Sequence, residues 1–126
     1  MSDFLDRVEI LIMNAVTAVS AYNAETATWI ELHVGDPGDD GTANPAVGLS
    51  RAEVTSWTGA AGVRANGNEI QFPNTTGGEL TITNFTVWDA VTAGNGIMKG
   101  TLTVPQAIPD GQTGRFQIGQ LTLAAD

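Results

Sequence analysis

The stretch Leu80-Thr81-Ile82-Thr83-Asn84-Phe85-Thr86-Val87-Trp88-Asp89-Ala90 opens with the two-residue period of a strand that has one dry face. Leu80 and Ile82 alternate with Thr81 and Thr83. At Asn84 the phase slips, and Phe85 and Val87 become the apolar positions. A β-bulge near Asn84, one extra residue that bends the strand, would absorb the slip. Trp88 falls on the face opposite Val87, so both faces of this strand are expected to be covered. That is the position of a central strand in a sandwich of two sheets.

The flanking sequence repeats the pattern. Thr28 to Val34 alternates, with Ile30, Leu32 and Val34 on one face and Trp29, Glu31 and His33 on an exposed polar face. Arg51–Trp57, Glu69–Pro73 (Ile70 and Phe72 inward), Gly96–Val104 and Arg115–Leu123 read as further strands, the last with a second phase slip near Gly119. Gly59–Asn68 and Pro105–Gly114 read as loops. Gly35–Ser50, rich in Gly, Pro, Asp and Asn, is a long loop of the kind that is often functional. Six to eight strands separated by turns predict a mainly β chain: an antiparallel β-sandwich, jelly-roll or Ig-like, over residues 28–126. Residues 1–22 form a separate apolar unit. Within it residues 2–20 are expected to be helical, capped by Ser2 or Asp3, with Phe4, Val8, Leu11, Ile12, Ala15 and Val19 in one stripe. Leu5, Ile10, Met13 and Val16 widen that stripe beyond what one contact buries.

Composition narrows the function. With 126 residues the chain suits one domain, and 42% apolar against 15% charged residues marks it as globular. Five Lys or Arg face fourteen Asp or Glu, for a net charge of −9. A surface this poor in cations has little with which to neutralise phosphates, so neither nucleic acid nor an anionic membrane is an expected partner. Residues 1–50 carry eight acids and one base, which favours a basic or neutral partner for that part. No cysteine is present, which removes disulfides, thiolate metal sites and cysteine catalysis. The apolar run Val8–Val19 is too short to span a bilayer and follows Asp3 and Asp6, unlike a secretion signal; synthesis in a cytoplasm is expected.

Reactive groups are sparse. His33 is the single histidine, and no Ser beside it has the marks of a nucleophile. Asp36, Asp39 and Asp40 fail the spacing of a calcium loop, with Gly38 and Val47 at ligand positions. No phosphate-cradling Gly-Lys motif occurs. The expectation is a protein without catalysis, metal or cofactor. Trp29 and Trp57 are the candidates for aromatics that face a receptor, and Asp36, Asp39, Asp40 and Asn44 for a displayed or contacting loop.

Several short pieces also carry a family look: Trp29-Ile-Glu-Leu-His-Val-Gly-Asp-Pro-Gly38 with Gly41-Thr-Ala-Asn44, then Arg51 and Val54–Trp57. Further on come Ile70-Gln-Phe-Pro73, Thr83–Ala90 with Gly94-Asn-Gly96, Leu102–Pro105 and Gly119-Gln-Leu-Thr-Leu123. Over residues 28–123 the chain resembles the small β-rich virion proteins of tailed bacteriophages, labelled tail fibre-like, minor structural or decoration proteins. The resemblance implies a non-enzymatic virion component made in the bacterial host. Its partners would be a major capsid or tail protein. Because no repeat suggests a fibre shaft, the reading favours a capsid decoration or cement module, with a tail fibre tip or minor tail protein that binds receptor as the alternative. Accessory virion proteins usually act as symmetric oligomers, so a trimer or dimer is expected. Phe4, Val8, Leu11, Ile12, Ala15 and Val19, with Tyr22 beside them, would form the anchor or oligomer contact. Deleting residues 1–20 would then abolish particle association and leave the sandwich folded.

Overall fold

The computed structural model of the chain describes residues 2–124, so the outer limits placed at residues 1 and 126 lie outside the described residues. The chain is mainly β; the described residues form three antiparallel sheets and one short helix near the N-terminus. The largest sheet joins β1 (Ser2–Phe4), β8 (Gly96–Ile108), β7 (Leu80–Trp88), β2 (Trp29–His33) and β3 (Ala52–Glu53), in that order. A second sheet joins β10 (Thr122–Ala124), β5 (Val63–Asn66) and β4 (Trp57–Thr58); a third pairs β6 (Ile70–Pro73) with β9 (Thr113–Phe116).

The stretch from Leu80 is indeed the central strand of the main sheet. Ile30 pairs with Val87, Leu32 with Phe85, and Val87 with Met98, so these residues share one face. That face meets Ile70 and Phe72 of β6, Val54 and Leu121 in a single apolar core. Phe72 and Phe116 close it with an edge-to-face ring pair, centroids 6.1 Å apart. The phase slip falls between Ile82 and Asn84, as read, but the surplus residues lie in the partner strand. Ile82 pairs with Gln106 and Asn84 with Thr101, so Leu102 to Pro105 bow out opposite Thr83.

Several elements differ from the sequence reading. Residues 2–4 are not helical: β1 pairs with β8, Phe4 opposite Met98, because β8 needs an edge partner there. The helix α1 spans Asp6–Val16; its N-cap is Leu5 rather than Ser2 or Asp3, and no side chain caps it. Leu5 lies in the core rather than outside it, and its N–H bonds the carbonyl of Ile97. Past the helix, Ala18 adopts a positive φ of 61°, and residues 17–20 leave the helical path.

The stretch Gly59–Asn68 contains β5, whose small and polar residues hide its strand character. Arg51–Trp57 is broken: β3 belongs to the main sheet and β4 to the second. β8 continues through Pro105 to Ile108 instead of ending at Val104. The last segment splits at Gly119, with φ of 85°, into β9 and β10, which belong to different sheets. A turn of that hand needs a residue without a Cβ penalty.

Candidate interaction surface

α1 rests on the sheet through Leu5 and Val8, exposed by 2% and 1%, with Ile12 half-buried against the same core. Phe4 and Val8, two of the six residues proposed for partner contact, are therefore committed to the domain's own interior. Leu11 and Ile12 are half-buried, while Ala15 and Val19 are exposed. The apolar side chains that stand free are others: Ile10, Met13 and Val16, exposed by 61%, 58% and 74%, followed by Val19. Sequence periodicity finds both sides of an apolar helix but cannot tell which side its own domain covers. Tyr22 is half-buried and donates its hydroxyl to Glu25 at 2.7 Å, and Glu25 pairs with Arg7 at 2.8 Å. Burial, reinforced by that carboxylate, pushes the phenol up to about 12. These bonds tie the segment after α1 back onto the domain, so Tyr22 is not a free anchor.

The Gly35–Ser50 loop is a cover as well as a display. Its carboxylates point outward, but Asp36 and Asp40 each serve a local turn. Asp36 accepts from the Gly38 N–H, Asp40 from the N–H and hydroxyl of Thr42, and Asn44 donates to the Asp36 carbonyl. The Thr42 bonds hold Asp40 below its usual carboxylate range. Lys99 reaches across to Asp39 at 3.3 Å and Asp36 at 3.8 Å. Burial alone would lower the Lys99 pKa; these acids outweigh it and raise it. Beneath them Pro37 and Gly41 are buried, with Gly41 set against Thr86 and Trp88 on the second face of the main sheet, while Ala46 joins the apolar core.

That second face is polar and covered, not exposed. His33 has no accessible surface. Its Nδ1 donates to the Ala43 carbonyl at 2.8 Å, since a carbonyl only accepts, and its Nε2 lies 2.8 Å from Thr86 Oγ1 and 3.2 Å from Glu31. Trp88 Nε1 donates to the same Thr86 oxygen at 2.7 Å. Arg51 pairs with Glu31 at 3.1 Å, donates to the carbonyls of Ala90 and Ala93, and stacks 4.2 Å above the Trp88 ring. Burial raises Glu31, but the His33 and Arg51 contacts outweigh it and leave its pKa lowered. The single histidine thus locks the cover loop to the sheet. Every one of these groups is engaged in holding structure, although Glu31 and Arg51 also line a shallow open cleft with Leu49, Ser50, Val91, Thr92 and Ala93.

Trp29 and Trp57 are each half-buried. Trp57 packs on the core and donates to Thr28 Oγ1 at 3.0 Å; Trp29 sits opposite Trp88 across the β2–β7 ladder. They are not brought together. Among the described residues no cluster of three or more His, Asp or Glu is placed to hold a metal, and no helix is long and apolar enough to cross a membrane. A groove between β8 and β9, lined in part by Leu102, Arg115 and Phe116, was not foreseen. The only sequence signal for it is the uncharged run from Gly100 to Pro109.

No curated protein matches the chain. Residues 3–124 do match the family described as podophage GP4 fiber I protein gp80. The match includes β1 and α1, which the residues quoted for the resemblance had left out. The chain belongs to this family and is a tailed-phage virion protein of fibre-like type.

Proposed function

We propose that the chain is a non-enzymatic structural subunit of the phage fibre, held in the virion by the outer face of α1. The observation that carries this reading is the row of Ile10, Met13, Val16 and Val19, each more than half exposed. They lie in a run, Ile10 to Ala24, that contains no charged residue. Exposed apolar patches of this kind mark interaction sites. Asp6 and Glu9, both exposed, flank the row at its start. The complementary partner is another virion protein that offers an apolar cleft with Lys or Arg at its rim. A parallel bundle of this same helix would bring like charges at Asp6 and Glu9 together, which disfavours the homodimer or homotrimer as the occupant.

The fibre fits the family's name, and capsid decoration is the competing location. Gold-labelled antibody against the chain, applied to intact particles, tests it. Label confined to the tail supports the fibre reading; label spread over the head overturns it in favour of decoration. The triple variant Ile10→Asp, Met13→Asp, Val16→Asp tests the anchor in phage complemented with the altered gene. Loss of the protein from purified particles, with its circular dichroism unchanged, is expected. Normal incorporation would overturn the anchor. Sedimentation of the isolated chain as a dimer or trimer that the same variant dissolves would assign the face to self-association.

A further inference from the structure

The chain holds two Asn-Gly pairs, Asn66-Gly67 and Asn95-Gly96, and the fold treats them oppositely. We infer that Asn95 is a site of spontaneous covalent modification, where the Gly96 backbone nitrogen turns the side-chain amide into a carboxylate, and that the fold protects Asn66 from the same reaction. The inference does not depend on where the chain sits in the virion.

The reaction needs only water. The backbone nitrogen that follows an asparagine attacks its side-chain Cγ, and ammonia leaves as a five-membered imide closes. Water then adds to one of the two imide carbonyls and opens the ring, giving an aspartyl or an isoaspartyl residue. One amide and one water become one carboxylic acid and one ammonia, with no change of oxidation state. A following glycine, which has no Cβ, leaves the approach unhindered.

At Asn66 both reacting groups are pinned. Its side chain has no accessible surface. Nδ2 donates to the carbonyls of Asn68 and Gln117 at 2.8 and 3.0 Å, and Oδ1 accepts the Leu121 N–H at 2.9 Å. The Gly67 N–H donates to the Ser56 carbonyl at 2.8 Å. Freeing Asn66 therefore means parting β5 from Leu121, a core residue.

Asn95 stands in the turn between β7 and β8, where residues 91–95 are all exposed. Its Nδ2 donates to Asp89 Oδ2 at 2.9 Å, its N–H to Asp89 Oδ1 at 2.7 Å, and its carbonyl accepts the Asp89 N–H at 3.1 Å. All three bonds lie within the turn, so a local opening frees the side chain and uncovers no core residue. Gly96 is fixed by packing: a Cβ there would run into Leu5 Cδ1. Seating Leu5, the N-cap of α1, thus holds a labile pair at an exposed turn.

The product carboxylate would meet Asp89 where a donor now stands, placing like charges in contact. An isoaspartyl link would also lengthen the main chain before Gly96 and disturb its pairing with Trp88. Arg51 grips the same turn through the carbonyls of Ala90 and Ala93, so the loosening reaches the Arg51–Glu31 pair. The conversion acts as a slow timer on the cover of the second face.

The test incubates the full folded chain in isotopically labelled water at mildly alkaline pH and sequences its peptides by tandem mass spectrometry. Labelled oxygen and the amide-to-acid mass gain are expected at Asn95, partly as isoaspartate, about tenfold faster than at Asn66 or more. In denaturing urea the two rates should converge. Asn95→Gln, whose longer side chain closes a six-membered ring far more slowly, should abolish the gain. Asn95→Asp, which carries the product's charge, should melt at a lower temperature than the parent. An unmodified Asn95, an Asn66 that reacts as fast in the folded chain, or a gain that persists in Asn95→Gln would overturn the inference. An unchanged Tm in Asn95→Asp would overturn its link to the cover.

Discussion

At Glu31 a half-buried carboxylate is kept ionised by His33 and Arg51, and much of the cover over the second face depends on that arrangement. A group whose folded pKa is depressed adds stability above its unfolded value, near 4.5, and loses it as pH falls through the lower folded value. Thermal denaturation measured from pH 7 to pH 3 should therefore show a decline that sets in below about pH 4.5, near the ordinary carboxylate value. Glu31→Gln should cost about 1–2 kcal/mol at pH 7, the loss of a charge-assisted contact, and should flatten that decline. An unchanged acid limb in the variant would show that other carboxylates set it. Gly41 makes a second test of the same cover. Its φ is +79°, and a Cβ there would stand 2.8 Å from Leu5 Cδ1. Gly41→Ala should destabilise by about 1–3 kcal/mol in a urea melt, from strain and crowding together. Little of this was legible in the sequence. Alternation placed His33 on the face away from Ile30 and Leu32, which is correct. It assigned that face to solvent, because nothing in a two-residue period reveals that a loop ten residues further on will fold back over it.

Among the elements, β7 was the most readable, since its period, its phase slip and its two-sided burial are all local. The β8 bulge was not, because the surplus residues lie in the partner strand and only the pairing reveals them. The same holds for β9 and β10, where one apolar run divides between two sheets at a glycine. α1 separates the two kinds of apolar residue that sequence merges. Leu5→Ala should cost about 2–5 kcal/mol, the range for truncating a buried leucine. Ile10→Ser, at a position 61% exposed, should stay within about 0.5 kcal/mol. A chemical denaturation series of the two variants checks this. Equal losses would mean that the outer face of α1 is covered within the subunit, and the anchor would fall with it.

For the molecule as a whole, the N-terminal segment is a component of the fold, and that changes how attachment must be tested. β1 supplies the edge of the main sheet and lies against β10, while Leu5 and Val8 are among the most buried side chains. Removing residues 1–20 strips a strand from β8, takes Leu5 from beneath the cover loop at Gly41 and takes Val8 from the apolar core. The stable truncated sandwich expected from sequence should not form. The truncated chain should be insoluble, or lose the near-ultraviolet circular dichroism of its tryptophans, and its absence from particles would then say nothing about anchoring. The triple aspartate variant on Ile10, Met13 and Val16 makes the distinction, because all three side chains are largely outside the core. The expected pair of outcomes is a truncation that fails to fold and a variant that folds and is not incorporated. A truncation with a native melting transition would mean that β1 and α1 are dispensable to the sheet, and the segment would be an appendage after all.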